Sequence, residues 1–148
     1  TMELSARLQK NLLESLLVYI QLKDAFVSSD AKAASSHAKS MAEKINAIPV
    51  QEVPPTAQTH LTQSRAMLTA IGNTSNLEQQ RGHFVILNEH FVPLVLNVED
   101  MDNPLFIQKC PMANSNKGAI WISNEEEIRN PYYGDAMLTC GSVTQVVR

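Results

Sequence analysis

Apolar residues at helical spacing fill most of the first 99 positions, and this periodicity constrains the fold more than any other feature of the sequence. The pattern is interrupted at residues 28–30, 49–56 and 72–75, where proline, glycine, serine or aspartate occurs. Apolar side chains three or four residues apart line one face of a helix, and that face has to be buried against another element. The sequence therefore predicts four helices packed around one core.

The first two helices are predicted over residues 1–27 and from Asp30 to about residue 47. Asp30 is a favoured N-cap, and Pro49 stops the second helix because it cannot donate a backbone hydrogen bond. The first helix carries a broad apolar stripe, formed by Leu4, Leu8, Leu12, Leu16 and Tyr19 and widened by Leu13, Leu17 and Ile20. The positions expected to be most buried across the four helices are Leu12, Leu16, Met41, Leu68, Phe84 and Phe91.

The third helix is predicted over residues 57–71, with Gly72 in the left-handed conformation that often follows a helix. A capping box that begins at Ser75 is expected to open the fourth helix. Pro93 should kink or end that helix, because its ring collides with the carbonyl group four residues earlier.

The pattern changes after Asp100. Short apolar runs bounded by turn residues predict strands at residues 105–107, 119–122 and 142–147. A second capping box, from Ser123 to Glu126, predicts one or two helical turns after the second strand. The sequence Asn-Pro-Tyr-Tyr-Gly at residues 130–134 predicts a turn.

The predicted fold class is therefore mainly α, with an antiparallel four-helix bundle over residues 1–99 and a cap of short strands and turns over residues 100–148. A chain of 148 residues with 44% hydrophobic residues is sufficient for one domain with its own core.

The net charge of −3, with acids and bases interspersed, argues against nucleic-acid binding. No apolar run has the length of a transmembrane segment. The sequence starts at Thr1 without an initiator methionine, so we expect an export signal to have been removed.

The two cysteines and the methionines near them are the main candidates for a functional site. They are Cys110 and Met112 in Cys-Pro-Met, and Met137 and Cys140 in Met-Leu-Thr-Cys. Thiolate and thioether sulfurs select soft ions such as Cu(I). Both sulfurs of each pair can face one centre, in an extended segment for the first pair and in a helical turn for the second. In the alternative, the methionines pack in the core and the cysteines form one disulfide or remain reduced and buried.

The sequence around the other candidate residues, Trp121 and the histidines, favours structural roles for them. Trp121, between two isoleucines, is more typical of a core residue than of a cation–π contact. His83 and His90 lie roughly 10 Å apart along one helix, too far to bind the same ion directly, and are expected at the edge of the apolar stripe. The chain has no nucleophile elbow, zinc-protease motif, P-loop or dinucleotide fingerprint, so the sequence does not indicate an enzyme.

The C-terminal motif resembles that of an exported bacterial domain family of uncharacterised function. The shared residues are Cys110-Pro-Met112, Lys117-Gly118-Ala119, Trp121-Ile-Ser123, Ile128-Arg-Asn-Pro-Tyr-Tyr-Gly134, Met137-Leu138 and Cys140-Gly141-x-Val143, with further similarity at Gln80, Arg81, Phe84 and Leu87. Members of that family resemble secreted or lipid-anchored proteins, or the C-terminal domain of periplasmic adaptor subunits in copper/silver efflux pumps. The resemblance implies a periplasmic or cell-surface domain connected with heavy-metal handling.

The first hypothesis is a carrier and not an enzyme. Cys110 and Cys140 would bind Cu(I) or Ag(I) as thiolates, and Met112 and Met137 would add thioether ligands whose weaker bonds permit transfer. The carrier would buffer the ion or hand it to a periplasmic efflux adaptor protein.

The second hypothesis is a metal-free interaction domain. A disulfide between Cys110 and Cys140 would close the cap, and Trp121, Tyr132 and Tyr133 would be presented to a protein partner, because exposed aromatic residues suit an interface. Both hypotheses require the two cysteines to lie close together.

Overall fold

The computed structural model describes residues 3–148. Four helices come first: α1 (Ala6–Val27), α2 (Ala31–Asn46), α3 (Pro55–Gly72) and α4 (Leu77–Val95). Three strands follow: β1 (Leu105–Cys110), β2 (Ala119–Ser123) and β3 (Ser142–Val147). Short 3₁₀ turns occupy Val50–Glu52 and Gly134–Met137. The prediction of a mainly helical chain with short strands near the C-terminus is confirmed.

Side-chain caps fix the starts of the first two helices. The Ser5 side chain accepts a hydrogen bond from the backbone N–H of Leu8, so α1 begins at Ala6. The predicted start at Thr1 lies outside the described residues, and residues 3–5 are not helical. Asp30 caps α2 as predicted, accepting from the backbone N–H of Ala33.

The boundary between α3 and α4 differs from the prediction. Gly72 belongs to the last turn of α3 and does not have a positive φ. A Cβ there would lie 2.9 Å from the Cγ of the exposed Lys39 on α2, so a side chain at this position would require Lys39 to move. The N-cap of α4 is Asn76, one residue after the predicted Ser75, and it accepts from the backbone N–H of Gln79. The helix continues beyond Pro93 and ends at Val95.

One core joins the helices to the sheet. Its buried residues include all six that the sequence placed there: Leu12, Leu16, Met41, Leu68, Phe84 and Phe91. The expected contribution of Leu17 is wrong, since its side chain is 72% exposed. It follows Leu16 by one residue, a rotation of about 100° around the helix, and therefore lies outside the buried stripe.

The strands form one antiparallel sheet in the order β2-β1-β3. Trp121 and Ile122 of β2 are fully buried, and the backbone N–H of Ile122 donates to the Tyr19 hydroxyl of α1 at 3.0 Å. The cap is thus attached to the helices through β2. No helix within residues 3–148 is long and apolar enough to cross a membrane.

The second predicted capping box is wrong, because no helix follows Ser123. Ser123 is the last residue of β2, and its hydroxyl accepts from the backbone N–H of Glu125, two residues later. The buried amide of Gln108 donates to the carbonyl oxygens of Glu125 and Glu126. These carbonyl groups are therefore bonded to β1 instead of to a following helical turn.

Candidate functional site

The register of the sheet brings the two cysteines together. Cys110 is the last residue of β1, and Lys109 before it pairs with Ser142 at the start of β3. Because these strands are antiparallel, the residues just before Ser142 lie beside the end of β1. The Sγ atoms of Cys110 and Cys140 are 2.9 Å apart. The prediction that both cysteines lie close together is confirmed.

Gly141 permits this approach. Its φ of +142° is rarely adopted by residues with a side chain. A Cβ at this position would lie 2.9 Å from the carbonyl oxygen of Lys109 and 3.1 Å from the Trp121 ring. A larger residue would therefore push the Cys140 segment away from β1.

Asn130 holds the loop that carries Cys140. Its side chain is fully buried, accepts from the backbone N–H of Tyr132 at 2.8 Å and donates to the carbonyl oxygen of Cys140 at 2.9 Å. Its own backbone N–H donates to the carbonyl oxygen of Leu138. The turn predicted at residues 130–134 is confirmed, and Asn130 connects it to the cysteine pair.

The surroundings shift the pKa values of the two thiols in opposite directions. Burial raises the pKa of Cys110, but hydrogen bonds from the Cys140 thiol, the Met112 and Ala113 backbone and the Asn130 side chain outweigh it, so the net pKa is lowered. The hydrogen bond to Cys110 raises the pKa of Cys140, and burial and the charge on Cys110 add to that effect. Cys110 is therefore the first of the pair to become a thiolate, the form that binds metals and attacks disulfides.

The two methionines lie in turns next to the cysteines. Cys110 and Met112 do not share an extended segment as predicted, because β1 ends at Cys110 and a turn begins at once. The Met112 side chain is 46% exposed, and its carbonyl oxygen accepts from the Tyr133 hydroxyl. Met137 is half-buried, and its carbonyl oxygen accepts from the backbone N–H of Cys140. Their role as thioether ligands stays a prediction.

The aromatic residues of the cap are mainly structural. Trp121 is fully buried, as the sequence favoured, and its indole N–H donates to the side chain of Gln108 at 2.8 Å. Tyr132 is also buried, and its hydroxyl donates to the carbonyl oxygen of Ile120. The expectation that Trp121 and Tyr132 are presented to a partner is therefore wrong, because both complete the core beneath the cysteines. Tyr133 is half-buried.

A buried polar network that the sequence analysis missed ties the cap to the helices. The Tyr19 hydroxyl donates to the side-chain oxygen of Asn88 at 2.5 Å, and the Asn88 amide donates to the Tyr132 hydroxyl at 3.1 Å. Burial raises the pKa of both tyrosines, so both hydroxyls remain protonated. The sequence does indicate this network, because Asn88 lies on the same helix face as Phe84 and Phe91. A polar side chain buried at such a position needs a hydrogen-bond partner.

Over the part of the chain that the structure describes, no group of three or more histidine, cysteine or acidic residues is arranged to hold a metal ion. The cysteine pair therefore offers at most two thiolate ligands, and further ligands would have to be thioether sulfurs, water or a donor from a partner. Two-coordinate and three-coordinate sulfur sites suit soft ions better than the four-ligand sites typical of structural zinc.

Comparison with protein families finds a match that covers most of the helical half of the chain. A family described as protein of unknown function, DUF3347, matches residues 16–103, more than half of the sequence. The chain belongs to the DUF3347 family. The DUF3347 match runs from within α1 to the residues just before β1, so the family signal lies in the four helices, and the cysteine pair follows it. No curated protein and no solved structure matches the chain.

Proposed function

We propose that this protein binds a soft metal ion, Cu(I) or Ag(I), at Cys110 and Cys140 and acts as a carrier without catalytic activity. The observation that supports this most directly is the 2.9 Å separation of the two sulfurs, together with the lowered pKa of Cys110. A thiolate is the strongest soft ligand that a protein supplies, and a second sulfur beside it forms a two-ligand site.

The sulfurs have to move apart to share an ion. Metal–thiolate bonds of about 2.3 Å place two sulfurs about 3.8 Å apart at a tetrahedral angle and about 4.6 Å apart in a linear two-ligand site. The pair at 2.9 Å would therefore open by about 0.9 to 1.7 Å. Cys110 is fixed in β1, whereas Cys140 lies in a loop and is half-buried. We expect Cys140 to move, and the ion to approach from its side.

The methionines would act as weaker, exchangeable ligands. Met112 and Met137 each lie within three residues of a cysteine, and methionine side chains have three rotatable bonds. The half-exposed Met112 is the better placed of the two to meet an incoming ion. A thioether binds soft ions without having to lose a proton, so it can exchange with an acceptor protein more readily than a thiolate.

The location and the partner of this carrier rest on the C-terminal motif. Its resemblance to domains fused to efflux adaptor subunits supports an exported protein that delivers the ion to a periplasmic adaptor of heavy-metal efflux.

Ligand variants test the proposal in a graded way. Cys110→Ser or Cys140→Ser should abolish tight Cu(I) binding, measured by competition with a colorimetric chelator under anaerobic conditions. Met112→Leu and Met137→Leu should weaken it while changing stability by less than about 1.5 kcal/mol, since the side-chain volumes are similar. Met67→Leu, a methionine of α3, is the matched control and should bind as wild type. Unchanged affinity in both serine variants would overturn the proposal.

A second function is favoured by the same distance. A disulfide has an S–S bond of about 2.05 Å, so the pair is also within about 0.9 Å of a covalent bridge. Exported thiols tend to oxidise, which would give a metal-free domain with a closed cap. Titration of free thiols in the native protein, purified without reductant and denatured under anaerobic conditions, separates the two functions. Two free thiols favour the carrier, and none favours the closed domain.

A further inference from the structure

Two histidines from neighbouring helices face each other across the α3–α4 interface. The Nδ1 atoms of His60 on α3 and His90 on α4 are 3.1 Å apart. Their ring centroids are 5.3 Å apart and the ring planes are inclined by 50°, so the rings are not stacked and meet through their nitrogen atoms. The residues are 30 positions apart in the sequence, and the helical spacing that relates His83 to His90 gives no hint of this pair.

The distance matches that between two nitrogen ligands of one metal ion. Zinc–imidazole bonds of about 2.0–2.1 Å place two nitrogens about 3.3–3.4 Å apart at a tetrahedral angle and about 2.9 Å apart at a right angle. The observed 3.1 Å lies between these values. The two nitrogens can therefore bind one ion without changing their separation, once the rings turn so that both lone pairs point at it, whereas the cysteine sulfurs have to move apart.

We propose that His60 and His90 form a two-ligand site for a borderline divalent ion of the Zn(II) or Cu(II) type, separate from the cysteine pair. Imidazole nitrogen is a preferred ligand of these ions, and sulfur is not required. The site is independent of the proposed soft-metal function, and loss of either one leaves the other intact.

The surroundings favour a preorganised site. Both histidines lie within regular helices, and α3 and α4 pack directly against each other. Side chains on packed helices hold their positions more accurately than side chains on loops. Both rings are half-buried, so an ion can reach them from solvent, and water can fill the remaining coordination positions. Such an open two-histidine site exchanges its ion readily, which distinguishes it from a closed structural site.

The hydrogen-bonded pair can become a pair of ligands by moving one proton. In the ion-free pair one Nδ1–H donates to the other Nδ1. When an ion binds, both Nδ1 lone pairs coordinate it, and the displaced proton moves to Nε2 of the same ring through solvent.

Zn(II) is the appropriate probe because it does not oxidise the cysteines. Calorimetric titration of the full chain carrying Cys110→Ser and Cys140→Ser should show one Zn(II) site. His60→Asn or His90→Asn should weaken that site at least about tenfold, since loss of a direct ligand exceeds the effect of losing a supporting contact. Combining the two changes should cost little more than either alone, because chelation is already lost. His83→Asn, on the same helix as His90, is the matched control and should bind as the parent.

Nuclear magnetic resonance of the unsubstituted, reduced protein makes the test independent of any effect of the variants on folding. Zn(II) should shift the Nδ1 resonances of His60 and His90 and leave those of His83 unchanged. Equal Zn(II) affinity in the His60→Asn, His90→Asn and His83→Asn proteins would overturn the proposal. Unshifted Nδ1 resonances would do the same and would identify the pair as a hydrogen bond alone.

Discussion

Asn130 connects the turn at residues 130–134 to the cysteine pair. It is fully buried in the cap, positions the Cys140 backbone and contributes a side-chain hydrogen bond that lowers the pKa of Cys110. Its identity follows from geometry, because an asparagine side chain can accept from one backbone N–H and donate to another group at the same time. One side chain thus couples the turn at residues 130–134 to the reactivity of a thiol.

Replacing Asn130 by alanine should make Cys110 less reactive. Removing a donor to the thiolate raises the pKa of Cys110, so less thiolate is present at neutral pH and alkylation by iodoacetamide slows. The rate should be followed against pH, with Asn124→Ala, an exposed asparagine of the cap, as the control. An unchanged pH profile in the Asn130→Ala protein would contradict this role for the side chain.

Removing the Tyr19 hydroxyl tests whether the buried network of Tyr19, Asn88 and Tyr132 stabilises the protein. Tyr19→Phe removes a hydroxyl that bonds to Asn88 and to the backbone N–H of Ile122, and leaves both buried without that partner. We expect a loss of about 1–3 kcal/mol in the free energy of unfolding, measured with urea. Tyr133→Phe removes a solvent-exposed hydrogen bond from the half-buried Tyr133 and should cost less than about 1 kcal/mol. Equal costs for the two changes would show that the network does not stabilise the cap.

At the scale of elements, the helices were predictable because their signals are local. Periodicity, an aspartate cap and a stopping proline all act within a few residues of the chain, so α1 to α4 occur where expected. The predictions that failed depend on contacts from distant positions. A Cβ at Gly72 would meet the Lys39 side chain of α2, and the carbonyl groups of Glu125 and Glu126 accept from Gln108 of β1 instead of forming a helical turn.

The register of α4 can be tested by truncating its buried aromatic residues. Phe84 and Phe91 are fully buried, and the ring of each stacks against the ring of Tyr19. Phe84→Ala or Phe91→Ala should each lower the free energy of unfolding by about 3–5 kcal/mol, since each leaves a cavity in the core. Leu17→Ala, at the exposed position of α1, should change it by less than about 0.5 kcal/mol. A mild effect at Phe84 or Phe91 would show that the helix faces the core differently.

At the scale of the whole molecule, both candidate sites join residues that are 30 positions apart. The closeness of the two cysteines was predicted because the metal-carrier hypothesis and the disulfide hypothesis both require it. Its cause, the pairing of Lys109 with Ser142, depends on a strand register that local patterns do not specify. The histidine pair was not foreseen, because it depends on which faces of α3 and α4 meet, and that choice is made by the core as a whole.

Oxidation of the cysteine pair should stabilise the whole protein. A disulfide between Cys110 and Cys140 closes a loop of about 30 residues and restricts the unfolded chain, which corresponds to roughly 3–4 kcal/mol. Urea unfolding of the oxidised and reduced protein should show that difference, and the Cys140→Ser variant should be insensitive to reductant. A stability that does not depend on the redox state would argue against a bridge formed without strain.

Anaerobic competition for Cu(I) between the protein and a colorimetric chelator decides whether the cysteine pair is a soft-metal site. The titration compares reduced wild-type protein with the same protein after its thiols have been oxidised, because a disulfide sulfur no longer acts as a thiolate ligand. We predict that the reduced protein withdraws about one Cu(I) per chain from the chelator and that the oxidised protein withdraws none, as two adjacent sulfurs make one soft-metal site. Either of two results would contradict a soft-metal site at Cys110 and Cys140: no withdrawal of Cu(I) by the reduced protein, or an amount that oxidation leaves unchanged.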